Sequence, residues 1–149
     1  IAGLNESKIG NIAYTRNSKA QMNKFKNLVK DLNKLTDDNP ALVSGDFIHE
    51  DTVKHTQSQV CATHLKDEDS KNEIYQIVNF KDESYPRADA NSYYIKFPKG
   101  TWVEILNTDD KKYGGKGLTN QNTIKSNGGD NVAINLAGNS TLMFKKISE

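Results

Sequence analysis

The chain has 149 residues, enough for one domain with a single core or a small domain with a short attached segment. Its 20 Lys and Arg against 19 Asp and Glu leave a formal charge of +1, which excludes any electrostatic case for nucleic acid or an anionic membrane as partner. No apolar run approaches the roughly 18–20 residues of a membrane helix, and no secretory leader is visible. A lone Cys61 excludes an internal disulfide framework and a cysteine-built metal site, and it fits a reducing, cytoplasmic setting.

Residues 1–17 have no clear period and read as a connecting segment. From Ser18 a helix is expected, because Met22, Phe25, Leu28, Val29, Leu32 and Leu35 recur at three- and four-residue steps. Ser18 with Gln21 fits a capping box at its start. Pro40 disfavours a helical conformation in the residue before it, so the helix should stop by Asn39.

After Pro40 the period changes to that of strands. Residues 59–65, 73–80, 93–97, 101–106, 132–136 and 141–147 are short runs of strand-forming residues. Tyr93, Ile95 and Phe97 share one face of their run, as do Val132, Ile134 and Leu136. Ile74, Tyr75, Ile77, Val78 and Phe80 are apolar on both faces, which suggests a central, doubly covered strand. Turn chemistry separates the runs at Asp67 to Asn72, at Pro98-Lys99-Gly100 and at Asn127-Gly128-Gly129-Asp130. The fold class expected is mainly β: an antiparallel β-sandwich over residues 40–149, preceded by one amphipathic helix over residues 18–39. Its core is expected to draw on Tyr93, Ile95, Phe97, Val103, Ile105, Val132, Ile134, Leu142 and Phe144.

No pattern for catalysis, cofactor or metal emerges. Acidic residues cluster in turns (Asp37 and Asp38, Glu50 and Asp51, Asp67 to Asp69, Asp109 and Asp110), where solvated charge is the ordinary reading. His49, His55 and His64 lack the spacing of a zinc motif, and His64 near Cys61 makes only two ligands. No serine sits in a glycine-flanked nucleophile elbow. Gly114-Gly115-Lys116-Gly117 runs into a polar stretch rather than a helix, so a tight loop is expected there, not a phosphate cradle. Trp102, Tyr85, Tyr93, Tyr94 and Tyr113 could stack on sugar rings if exposed, although alternate aromatics in a sandwich usually fill the core. Trp102 and Tyr113 are the carbohydrate-binding candidates retained.

The helix with its exit, Asn27-Leu28-Val29-Lys30-Asp31-Leu32-Asn33-Lys34-Leu35 through Asn39-Pro40-Ala41-Leu42, resembles the last barrel helix of the α-amylase superfamily. Gln76-Ile77-Val78-Asn79-Phe80 is similar to the central strand of that superfamily's C-terminal β domain. The stretch Leu106-Asn107-Thr108-Asp109 followed by Tyr113-Gly114-Gly115 looks like glycogen or starch branching enzymes in particular. Ala137-Gly138 stand where that family carries paired prolines.

The resemblance implies an enzyme that cuts an α-1,4 glucan bond and passes the chain to a 6-hydroxyl, making an α-1,6 branch. The catalytic acids would lie upstream, at the ends of barrel strands. This chain would contribute no catalytic residue and no cofactor. Its partners would be the catalytic barrel of the same polypeptide and α-glucan, and the helix face could self-associate if the barrel were absent. The rival readings are an independent carbohydrate-binding module, a surface or adhesion domain, and a small hydrolase. A binding module predicts a row of exposed aromatics on one sheet face, whereas an amylase-type domain predicts most of them buried.

Overall fold

The computed structural model describes residues 6–88 and 90–149 of the chain. Helix α1 (Glu6–Asp38) leads through Asn39 and Pro40 into a short helix α2 (Ala41–Ser44). Strands follow: β1 (Asp46–Phe47), β2 (Val53–His55), β3 (Val60–Lys66), β4 (Glu73–Asn79), β5 (Tyr93–Lys96), β6 (Gly100–Asn107), β7 (Ile124–Ser126), β8 (Asn131–Ile134) and β9 (Ser140–Ser148). Single 3-10 turns lie at His49–Asp51 and Lys111–Tyr113. All strand pairing is antiparallel. A 7-stranded sheet has the order β1-β3-β4-β9-β6-β7 with β2 also on β3, and β5 and β8 form a 2-stranded sheet.

Alternation builds the core between the sheets. Val60 and Ala62 from β3, Tyr75 and Ile77 from β4, and Leu142 and Phe144 from β9 are buried in one cluster with Tyr93, Ile95 and Ile134 of the small sheet. Phe97, Trp102 and Phe144 meet Tyr75 in a chain of edge and tilted ring contacts, with centroids 4.9 Å apart for Tyr75–Phe97 and 5.2 Å for Phe97–Phe144. Buried polar groups then stitch the layers. The Tyr75 hydroxyl donates to the Lys96 carbonyl at 2.7 Å, Ser126 to the Phe97 carbonyl at 2.9 Å, and the Trp102 indole to the Pro98 carbonyl at 3.0 Å. Asn79 Nδ2 donates to the Ala137 carbonyl at 2.9 Å and to that of Glu83 at 3.0 Å.

The structure corrects the expected core in β6. Val103 and Ile105 are only half-buried and lie outside the buried cluster, to which this strand contributes Trp102. The pairing with β9 slips between Glu104 and Leu106, which leaves Ile105 as the extra residue of a bulge. Val103 faces away by plain alternation with inward Trp102, and the bulge then keeps Leu106, opposite Met143, on that same outer face. Gly100 precedes it with φ 131°, where an added Cβ would press on the Ser148 carbonyl and the Lys146 side chain.

The helix is also longer than expected. It runs unbroken from Glu6, so Ser18 and Gln21 lie inside it rather than at its start. Residues 6–17, read as connecting segment, are helical; residues 1–5 of that segment lie outside the described residues. A helix already nucleated continues where no proline stops it, and Gly10 costs only about 1 kcal/mol relative to alanine. The other end falls where Pro40 places it. Asn39, buried at the exit, donates to the Leu35 carbonyl at 2.9 Å and accepts from Asn72 Nδ2 at 3.2 Å, and Asn72 Oδ1 accepts from the Ala41 amide at 3.1 Å. The helix exit is thus tied to the β3–β4 hairpin, whose turn is organised by Asp67 accepting from Ser70.

Because Phe144 is wholly buried among rings, Phe144→Ala should lower unfolding free energy by about 3–5 kcal/mol in urea titration. The same truncation at exposed Tyr94 should change it by less than about 0.5 kcal/mol.

Candidate functional site

The two carbohydrate candidates are far apart in role. Trp102 has no exposed surface and its ring edges meet His64, Phe97 and Tyr75, so it cannot offer a face to a sugar; that expectation is corrected. Alternation put it inward, and Gly100 and the bulge concealed the phase. Tyr113 is half-exposed on the loop after β6, but its hydroxyl donates to Asp31 of α1 at 2.5 Å and Lys112 stands 4.8 Å from its ring centroid. It joins the helix to the sandwich.

The loop that presents Tyr113 is built on Asp109. The Asp109 carboxylate accepts from the Lys116 amide at 3.2 Å and the Leu118 amide at 2.8 Å, and its carbonyl accepts from the Gly117 amide at 2.7 Å. Asn107 Oδ1 accepts from the Asp109 amide at 2.9 Å, and its Nδ2 donates to the Leu118 carbonyl at 3.2 Å. Asp110 caps the following turn by accepting from the Lys112 amide at 2.9 Å. Gly114 and Gly117 take φ values of 98° and 90°, which L side chains resist, and at Gly115 an added Cβ would fall inside the Asp109 backbone. The expected tight loop is therefore what the glycines make. The acids read as solvated charge turn out to be its scaffold.

Asp31 receives the loop. It accepts from Tyr113 and pairs with Lys112 at 3.1 Å, and these contacts hold its carboxyl below the usual aspartate range. Around it Leu28, Leu32 and Leu35 are half-buried, while Met22, Phe25 and Val29 of the same stripe are exposed. Beneath the loop lies a polar network that sequence reasoning missed. Glu104 accepts from the Asn120 amide at 3.1 Å, from Asn120 Nδ2 at 2.7 Å and from Asn107 Nδ2 at 3.2 Å. Asn120 and Asn135 exchange bonds of 2.9 and 3.0 Å. Burial pushes the Glu104 carboxyl up, partly opposed by those donors. A lone glutamate inside an apolar strand was the available signal.

A second cluster is a buried line of charge. His64 Nδ1 lies 2.8 Å from Asp51 and Nε2 lies 2.7 Å from Glu73, which also meets Lys146 at 3.3 Å. With a carboxylate on each ring nitrogen, neither is left to take a proton from a nucleophile, as a catalytic histidine must. His64 and Cys61 sit on opposite faces of β3, so they do not form a ligand pair. Among the described residues no group of His, Cys, Asp and Glu converges on a metal position, and no helix is long and apolar enough to cross a membrane. Exposed Phe47, Phe80 and Tyr94 sit on separate elements rather than in the row a binding module predicts.

Tyr113→Phe should weaken the helix anchor by about 1 kcal/mol, seen as faster amide exchange around residues 28–35 with the sandwich unchanged. Since the Asp31 pKa is lowered by folding, its contribution is complete above the ordinary value of 3.8 and is lost as pH falls through the lower folded value. The exchange difference between wild type and Tyr113→Phe should therefore shrink in acid. Gly115→Ala should cost about 1–3 kcal/mol through the clash with Asp109. Gly129→Ala, with nothing within 4 Å, should be neutral in the same thermal unfolding assay.

A family profile described as the alpha amylase, C-terminal all-beta domain, matches residues 50–147, which takes in β2 to β9 and the loop of Tyr113. No curated protein matches the chain. The chain belongs to the family of alpha amylase C-terminal all-beta domains, the non-catalytic end of an amylase-family enzyme whose implied partner is a linked catalytic domain.

Proposed function

We propose that the parent enzyme is a 1,4-α-glucan branching enzyme and that this domain stabilises its catalytic barrel, with α1 serving as the last barrel helix. The observation that carries the reading is the loop after β6. The residues that look like branching enzymes, Leu106 to Asp109 and Tyr113 to Gly115, are here one hydrogen-bonded unit that anchors the helix through Asp31. Their spacing is thus a structural requirement of this loop.

The two sides of α1 support the barrel assignment. Leu28, Leu32 and Asp31 are turned partly toward the sandwich, while Met22, Phe25 and Val29, at three- and four-residue steps, are left open. A barrel surface would cover that stripe, and in the chain by itself the same residues are available to a second copy. We also place the protein in a reducing, cytoplasmic setting, for which the single free thiol of Cys61 is the support.

The test is to express the full reading frame, incubate the product with amylose, then debranch and profile the chains. New α-1,6 linkages are expected, and none from this chain alone. Release of short linear oligosaccharides without new branch points would replace branching with hydrolysis.

A further inference from the structure

The turn between β7 and β8 carries Asn127-Gly128, the one place in the chain where glycine follows asparagine. Asn127 is exposed, and neither residue belongs to a strand. We propose that Asn127 is a site of spontaneous deamidation and that the hydroxyl of Ser126 restrains it.

The reaction needs only water. The Gly128 amide nitrogen gives up its proton and attacks Cγ of Asn127. The N–Cγ bond forms, the Cγ–Nδ2 bond breaks, and Nδ2 takes up a proton and leaves as ammonia. Water then opens the five-membered imide at either of its carbonyls, with no change of oxidation state. Opening at Cγ leaves aspartate. Opening at the main-chain carbonyl leaves isoaspartate, whose backbone runs through the former side chain. Glycine favours the closure because it has no Cβ to crowd the forming ring.

The surroundings favour the attack. A Cβ placed on Gly129 would meet nothing within 4 Å, so the turn has room to move. Lys99 and Lys125 border the same cavity as Asn127, and their charge favours the anion formed as Gly128 loses its proton. Glu149 also borders that cavity, but Lys146 holds it at 2.9 Å.

One bond opposes it. The Gly128 amide donates to Ser126 Oγ at 3.0 Å, and that buried hydroxyl donates in turn to the Phe97 carbonyl at 2.9 Å. The attacking nitrogen is thus tied to the core through its own proton. It must leave Ser126 before it can reach Asn127, so modification follows local opening of the turn rather than unfolding of the domain. The product matters because β7 lies in the large sheet and β8 in the small one. Isoaspartate would lengthen the link between them by one methylene, beside the 3.4 Å bond from the Phe97 amide to the Asp130 carbonyl.

The experiment is incubation of the folded chain in mildly alkaline buffer, followed by mass spectrometry with fragmentation of tryptic peptide 126–145. Replacement of NH2 by OH is expected at Asn127 before any other asparagine, as a mixture of aspartate and isoaspartate. Ser126→Ala should speed it about three- to tenfold, the factor by which one lost hydrogen bond shifts an opening equilibrium. Ile77→Val, which loosens the core of β4 far along the chain from the turn, should leave the rate unchanged. Asn127→Gln should leave the peptide unmodified over the same period.

Earlier modification at Asn91 or Asn139, each followed by serine, would overturn the site, as would an Asn127→Gln peptide that still gains acid. An unchanged rate in Ser126→Ala, or an equal acceleration in Ile77→Val, would overturn the restraint. Should Ser126→Ala misfold, the wild-type chain in urea replaces it. Unfolding frees the same amide, and modification no faster there than in the folded chain would overturn the restraint equally.

Discussion

The small sheet cannot stand by itself. A ribbon of two strands is marginal in water, so β5 and β8 persist only because their inner residues Tyr93, Ile95 and Ile134 are buried on the large sheet. The aromatic chain from Tyr75 through Phe97 to Trp102 and Phe144 supplies the apolar contact. The hydroxyl of Tyr75, the indole of Trp102 and the hydroxyl of Ser126 satisfy carbonyls at residues 96–98 that the turn out of β5 would otherwise leave buried without partners. Each ring therefore has a second task. Tyr75 shows the consequence: burial and the nearby Asp51 charge both push its phenol well above the ordinary range, which keeps it a neutral donor.

That clamp fixes where the polar clusters fall. His64, against Trp102 at 5.5 Å, sits at the inner wall of the core, and Asp51 and Glu73 close on it from either side. Lys146 completes the line. Burial works against its ammonium, but Glu149 and Glu73 outweigh that and hold its pKa above the ordinary value. Such buried charge adds little net stability compared with apolar residues of the same volume, yet removing one member strands the others. Its effect here is registry: the 3-10 turn before β2, strand β3, strand β4 and strand β9 each contribute one group, so a slip of any strand would leave a charge unpaired.

Strong two-residue alternation made the strands legible, and β3, β4, β5, β6, β8 and β9 lie within a residue or two of where it places them. Strands β1, β2 and β7 are too short to show a period, and their existence depends on partners elsewhere in the chain. β6 was legible as a strand but not in phase, because the bulge at Ile105 is decided by pairing with β9. The site was harder to read. Trp102 looked available because only its type was visible. Tyr113 was singled out for sugar stacking, but its hydroxyl is held by Asp31, 82 residues earlier, and no local pattern joins an aspartate on a helix to a tyrosine in a glycine loop. The helix stripe was visible as a stripe, while its division into a half-buried and an open side needed the loop in place.

The β6–β7 connection draws these parts together. Its Asp109 and Gly115 make a loop too tight for other residues, and the tightness aims Tyr113 at Asp31. The same backbone carries on through Leu118 to Asn120, which closes over Glu104 and reaches Asn135 beyond β8. One rigid segment thus borders the helix on one side and the free edge of β6 on the other. In the proposed parent, the anchor of the barrel helix and the free edge of β6 would thus share a single covalent and hydrogen-bonded frame.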